Sequence, residues 1–264
     1  MKDTTWTLVL AALLALPSAA TAQTLTDADA IAERASNAAY YQGDDGRATV
    51  RLTIQDPNGA ERTRELTILR RDHEDGGDQD FLVVLSRPAD LRDTVFLVAK
   101  HPGADDDRWM YLPDLDLVRR IAAGDKRTSF IGSHFFYEDV SGRSPADDTH
   151  TLVETTDEHY VLDNTPRESA GVEFASYRAW IDVTTFTPMR IEFTDASGEV
   201  YRRVEVLELE TIDGHPTVTQ SRVTDLRTGG HTTAEFRDVR YDVGLPANIF
   251  AERSLRNPPA RFLR

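Results

Sequence analysis

Arg47-Ala48-Thr49-Val50-Arg51-Leu52-Thr53-Ile54-Gln55, then Asp56-Pro57-Asn58-Gly59, then Arg62 to Arg71, reads as a hairpin. Ala48, Val50, Leu52 and Ile54 fall on one side of the first arm, and Arg51, Thr53 and Gln55 on the other. That is the period of a strand with one dry face and one wet face. The Asp-Pro-Asn-Gly stretch supplies turn chemistry, and the second arm returns with Leu66 and Ile68 as its apolar set.

The same period recurs downstream. Strands are expected at Phe81 to Leu85, Thr94 to Ala99, Arg108 to Leu112, His159 to Leu162, Val172 to Val183, Met189 to Thr194, Val200 to Leu209, Pro216 to Leu226 and Thr232 to Tyr241. Ser197-Gly198, Asp213-Gly214 and Gly229-Gly230 separate several of them. Roughly ten or more strands in meander order, with no helices of 10 to 15 residues between them, predict one large antiparallel sheet. A sheet of that size must curl, split or close. Runs such as Tyr201-Arg202-Arg203-Val204-Glu205-Val206-Leu207-Glu208 keep charge on one side, so one wet face and one apolar face are expected. Upstream, Thr26-Asp27-Ala28-Asp29 has the form of a capping box, and Ile31, Ala32, Ala35, Ala38 and Ala39 follow at helical spacing.

Val118 to Asp148 is the one long segment without strand period, and it holds Phe130, Ile131, Phe135, Phe136 and Tyr137 among polar residues. Long connections in compact domains are functional or disordered, and five large apolar residues argue against disorder. The segment is expected to act as a lid or plug across the sheet.

The chain opens with Met1-Lys2-Asp3, an apolar run from Trp6 to Pro17, and Ala20-Thr21-Ala22 before Gln23. This is the form of a secretory signal peptide cleaved after Ala22, and the run is shorter than the about 20 apolar residues that a spanning helix needs. Residues 1–22 are thus expected to be removed, leaving residues 23–264 as one β domain exported to the periplasm without stable membrane insertion. The chain contains no cysteine, so neither a lipid anchor at a processed cysteine nor disulfides are available, and a hydrophobic core must hold the fold. A net charge of -15 repels phosphate backbones and argues against nucleic acid as a partner.

Catalytic and metal signatures are missing. There is no G-x-S-x-G, no H-E-x-x-H, and no glycine-rich phosphate or dinucleotide loop. The adjacent Ser133 and His134 would need a turn to meet and lack a third orienting group. Asp72 to Asp80 and Asp105-Asp106-Asp107 are acidic but lack the calcium-loop spacing, and read as solvated turns. No cofactor is expected.

Arg108-Trp109-Met110-Tyr111-Leu112-Pro113, Val118-Arg119-Arg120-Ile121 and Ser129-Phe130-Ile131-Gly132-Ser133-His134-Phe135-Phe136-Tyr137-Glu138-Asp139 resemble the signature block of the LolA-like outer-membrane lipoprotein-sorting family. Leu82 to Leu97 with Arg87-Pro88, Pro188 to Phe193 with Gly198, and Gly244-Leu245-Pro246 leading to Ile249-Phe250 and Arg253-Ser254-Leu255 fit the same pattern. His134 and Phe136 depart from it, standing where Asp and a small polar residue are expected. The branch resembled is the larger one often found near RND-type exporters.

The resemblance implies an incomplete β-barrel whose apolar concave face, covered by helices, takes acyl chains, with no residue doing covalent chemistry. On it, Trp109, Tyr111, Phe130, Ile131, Phe135, Phe136 and Tyr137 are candidates for cavity or lid. Arg119 and Arg120 are candidates for an anionic headgroup, against the simpler expectation that they and Arg108 pair with Asp114, Asp116 or Glu138. The expected role is a monomeric periplasmic carrier of lipid or acylated protein, not an enzyme, with an RND-type exporter as partner. The alternatives are a non-carrying accessory subunit of such an exporter and, further off, an envelope hydrolase.

Overall fold

A computed structural model describes residues 25–169 and 171–263; the leader and its cleavage site lie outside the described residues. The hairpin forms as β1 (Asp45–Gln55) and β2 (Glu61–Asp72), with Val50 opposite Leu66 and Ala48 opposite Ile68. Asp56 closes its turn, Oδ1 accepting from the amides of Asn58 and Ala60, while Gly59 takes φ +85°, a region open to a residue without Cβ.

The remaining strands are β3 (Gln79–Arg87), β4 (Val95–Lys100), β5 (Asp107–Leu112), β6 (Leu117–Ile121), β7 (Asp148–Thr155), β8 (His159–Pro166), β9 (Ser176–Asp182), β10 (Pro188–Thr194), β11 (Val200–Ile212), β12 (His215–Asp225) and β13 (His231–Tyr241). All thirteen join one antiparallel sheet in the order β6-β5-β4-β3-β2-β1-β13-β12-β11-β10-β9-β8-β7. Two meanders therefore meet where β1 pairs β13. Their outer strands, β6 and β7, are left as unpaired edges, so the sheet does not close into a barrel. Residues 122–147, which join those edges, cross the open side.

Three expectations about elements are corrected. Leu117–Ile121 is a strand, so the non-strand segment begins after it. Asp148–Thr155 is a strand the sequence pattern missed: as an edge strand it leaves mostly polar, exposed side chains, and apolar alternation never develops. The strand expected from Val172 starts at Ser176, because Phe174 turns into a separate cluster with Phe193 and Tyr201.

The single-apolar-face expectation also fails for β2 to β5. One side carries Val50, Leu52, Leu66, Phe81, Phe96 and Met110. The other carries Leu69, Leu82, Val84, Val95 and Leu97, covered by Leu245, Ile249, Phe250 and Leu255 of the C-terminal stretch with its short helix α3 (Arg253–Arg256). Phe81-Leu82-Val83-Val84-Leu85, apolar without interruption, is what burial on both faces looks like in sequence.

The N-terminal helix α1 (Ala28–Tyr40) is capped by Asp27, whose carboxylate accepts from the amides of Asp29 and Ala30, and not by the Thr26 box. It buries Ile31, Ala32 and Ala35 on β8 and β9, against Tyr160, Leu162, Ala179 and Ile181.

Candidate functional site

Inward-facing side chains from distant strands surround one cavity of about 400 Å3. Val50, Leu52, Leu66, Ile68 and Phe81, on β1 to β3, form one wall; Ile191, Val204, Val206, Val223 and Phe236, on β10 to β13, form the opposite one. Strands this far apart in the sheet can share a hollow only if the sheet curls. Its volume falls within the ~300–1,000 Å3 usual for small-molecule sites. Val204, Val206, Val218 and Phe236 keep partial exposure, so this face is apolar and only partly filled.

The crossing segment forms the cover. Phe130 is 2% exposed, with ring centroids 5.3 Å from Phe96 and 5.7 Å from Tyr137. Phe135 and Val140 complete the cover, with Ala38 and Tyr40 from the end of α1. The segment's tip is knotted by its own hydrogen bonds. The Phe130 amide donates to the Phe135 carbonyl at 2.8 Å, and the Ser133 hydroxyl donates to the Phe130 carbonyl at 2.7 Å. His134 faces Thr232, its Nδ1 lying 2.8 Å from the Thr232 hydroxyl. Ser133 and His134 thus serve the knot and the sheet, and do not face each other.

Seven apolar residues were expected at the site, and the structure distributes them. Phe130 and Phe135 line the hollow. Ile131 and Tyr137 pack against the core cluster beneath the cover, Tyr137 5.2 Å from the Phe96 ring. Phe136 turns away, its ring under the guanidinium groups of Arg202 at 4.4 Å and Arg127 at 5.0 Å. Trp109 and Tyr111 lie on the far face, against the C-terminal cluster, with Arg256 5.3 Å above the Tyr111 ring. The cause is register: Phe96 opposite Met110 puts Met110 inward, and the C-terminal stretch gives the two aromatics an apolar partner outside. Arg119 and Arg120 are exposed and remote from the hollow, facing Asp125 at 3.9 Å and Asp107 respectively. Asp116 is instead engaged by Arg256, and Arg108 by Asp106.

What sequence reasoning missed is the ionic anchor of the cover. Arg127 holds Glu173 with two hydrogen bonds, at 2.7 and 2.8 Å, and Glu138 at 2.8 Å. Its guanidinium sits 4.7 Å from the Phe174 ring and 4.9 Å from the Phe193 ring. Arg143 holds the fully buried Asp148, which also accepts from the Tyr177 hydroxyl at 2.8 Å. Asp139 caps the short helix α2 (Tyr137–Ser141) by accepting from the Phe136 amide at 2.7 Å, and pairs with Arg202 of β11. Burial alone would raise the Glu138 carboxyl, but Arg127, with Lys126 and Arg143 beside it, holds it below the usual carboxylate range. Glu173 follows the same balance, with burial overcome by Arg127 and the Tyr201 hydroxyl. The segment is thus tied to the second meander by charge and to the first by aromatic packing. Clustering of Arg127, Glu138 and Arg143 among aromatics is the only sequence sign of this; Glu173, on a separate loop, has none.

A side chamber of about 140 Å3 lies between α1 and β8–β9, and shares Tyr40, Asp139, Ile191 and Phe193 with the main hollow. Among the described residues, no cluster of three or more His, Asp or Glu side chains is arranged to hold a metal, and no helix is long and apolar enough to cross a membrane.

A family model described as an uncharacterized protein matches residues 77–257, which is more than half of the chain. No curated protein matches. Among solved structures, a DUF1329 family protein from Desulfovibrio piger is similar at 29% identity and TM-score 0.79, over 86% of this chain and 97% of that one. A protein from Vibrio parahaemolyticus, described as an outer membrane lipoprotein-sorting protein domain, is similar at 25% identity and TM-score 0.78, over 87% and 98%. A LolA superfamily protein from Nitrosomonas europaea, at 21% identity and TM-score 0.67 over 86% and 98%, shares the fold. With the open sheet and its crossing segment, these matches agree on a LolA-like fold, and the chain belongs to the family whose model it matches over residues 77–257.

Proposed function

We propose that this protein is a periplasmic carrier that takes acyl chains of a lipid or lipid-modified protein into the hollow and passes them on towards the outer membrane. The observation that carries the reading is the hollow itself: a curled sheet with apolar side chains on facing strands and about 400 Å3 left open. Its cover is made of Phe130, Phe135 and Val140. Apolar surface left accessible inside a fold costs free energy unless something fills it. Each buried methylene contributes about 0.8 kcal/mol, so a chain of a dozen offers on the order of 10 kcal/mol before ordering costs. Release follows if the apolar cover settles back into the space the chain leaves. The role needs no covalent step, export follows from the leader with cleavage after Ala22, and a partner at the inner membrane would be an RND-type exporter.

The test is mass spectrometry of organic extracts from protein purified without detergent. A lipid in stoichiometric amount, lost on substitution of Phe135, supports the reading. Folded protein that carries no lipid and binds no added fatty acid defeats it.

A further inference from the structure

The walls of the hollow are not chemically alike. The β1–β3 wall is apolar apart from the guanidinium groups of Arg47 and Arg70, which donate to the backbone carbonyls of Phe262 and of Tyr40, Gln42 and Gly43, whereas β12 presents a hydroxyl without a partner, that of Ser221. Ser221 is 8% exposed and lines the hollow between Val206 of β11 and Ala234 of β13, its register partners. The other hydroxyls of the lining are engaged. Thr217 and Tyr241 bond each other at 2.8 Å. Thr187 accepts from Thr185 at 3.0 Å, and Tyr40 donates to the Asp139 carbonyl at 3.5 Å. The Ser221 hydroxyl has no hydrogen-bond partner among the described residues.

Water in an empty hollow can satisfy that hydroxyl. Hydrocarbon that displaces the water strands it, and a stranded buried polar group costs more than a hydrogen bond gains. A ligand with oxygen at that level restores the bond. We infer, building on the carrier reading above, that the cargo carries an oxygen function buried together with its hydrocarbon, an ester or a hydroxyl set against Ser221 Oγ, and that Ser221 selects such chains over plain hydrocarbon. Specificity of this kind comes from the analogue that leaves a polar group unpaired, so it needs one well-placed hydroxyl and no charge.

The experiment displaces anilinonaphthalene sulfonate from the protein with three probes of equal chain length: methyl palmitate, hexadecanol and hexadecane. The wild type is expected to prefer the two oxygenated probes by about tenfold. Ser221→Ala should erase that preference, with hexadecane binding more tightly because no hydroxyl is left stranded, while Ser221→Thr, which keeps the hydroxyl, should retain it. Melting curves confirm that each variant is folded. Equal displacement of the dye from wild type by all three, or a preference that survives Ser221→Ala, overturns the inference and leaves the carrier reading standing. Failure of every probe to displace the dye overturns the carrier reading and the inference with it.

Discussion

Replacing Phe135 by Asp separates a cover residue from a core residue. Phe135 lines the hollow, is half-buried, and keeps its place in the knot through its backbone carbonyl, which accepts from the Phe130 amide. Losing a fully buried Phe costs about 3–5 kcal/mol. A half-buried one facing an open hollow, where a carboxylate stays hydrated, should cost about 2 kcal/mol by the same scale. In a chain of this size, 1 kcal/mol moves Tm by roughly 2–4 °C, so Phe135→Asp should lower Tm by about 4–8 °C. Phe96 is the proper comparison, being fully buried with Phe130 and Tyr137 rings against it; Phe96→Ala should lower Tm by roughly 12 °C. Ile191 would be a poor comparison, because it lines the hollow. Binding of a fluorescent fatty acid, measured by titration, should weaken at least about tenfold in Phe135→Asp, since a hydrated charge must be stripped or moved when a chain enters. If Phe135→Asp unfolds the protein, or binds fatty acid as the wild type does, Phe135 is not a cover over a binding hollow.

Arg127→Met leaves Glu138 and Glu173 without their shared partner, and breaking a buried pair costs about 3–5 kcal/mol; hydrogen exchange should show residues 126–147 loosened well before the sheet. Burial pushes Asp72 up to about 6, against the pull of Arg70 and the Gln79 hydrogen bond. Its folded form therefore holds a proton that the unfolded chain has already released, and stability falls as pH rises from about 4 to about 6. Asp72→Asn should flatten that part of a pH series of urea melts, and an unchanged slope there would refute the assignment. Trp109→Ala should loosen the C-terminal stretch and lower Tm while leaving fatty-acid affinity unchanged; loss of affinity would return Trp109 to the hollow.

Much of this architecture was legible because burial on one face writes itself as alternation. The β1–β2 hairpin and the apolar face of α1 follow from spacing alone, and the cover follows from five large apolar residues in a stretch that is neither strand nor disorder. Alternation, however, yields two sets without saying which is inner. In β5 the sets are Met110 and the pair Trp109 and Tyr111, and the larger aromatics turn outward because the C-terminal stretch, more than a hundred residues later in sequence, waits there. The continuous run Phe81 to Leu85 was the available sign that this region has two buried faces. Charge pairing was less readable still: Arg127 finds Glu173 on a loop and Asp139 finds Arg202 on β11, contacts that only the curl of the sheet creates. Ser221 stands out only when the partners of its neighbours are known.

The central claim is that acyl chains occupy the hollow between the two meanders, and a photoactivatable fatty acid tests it most directly. After irradiation and proteolysis, mass spectrometry should find the label on hollow-lining residues such as Leu66, Val204, Val223 or Phe236. Label confined to the outer face around Trp109 and Phe250, or to the exposed Leu115, would contradict it.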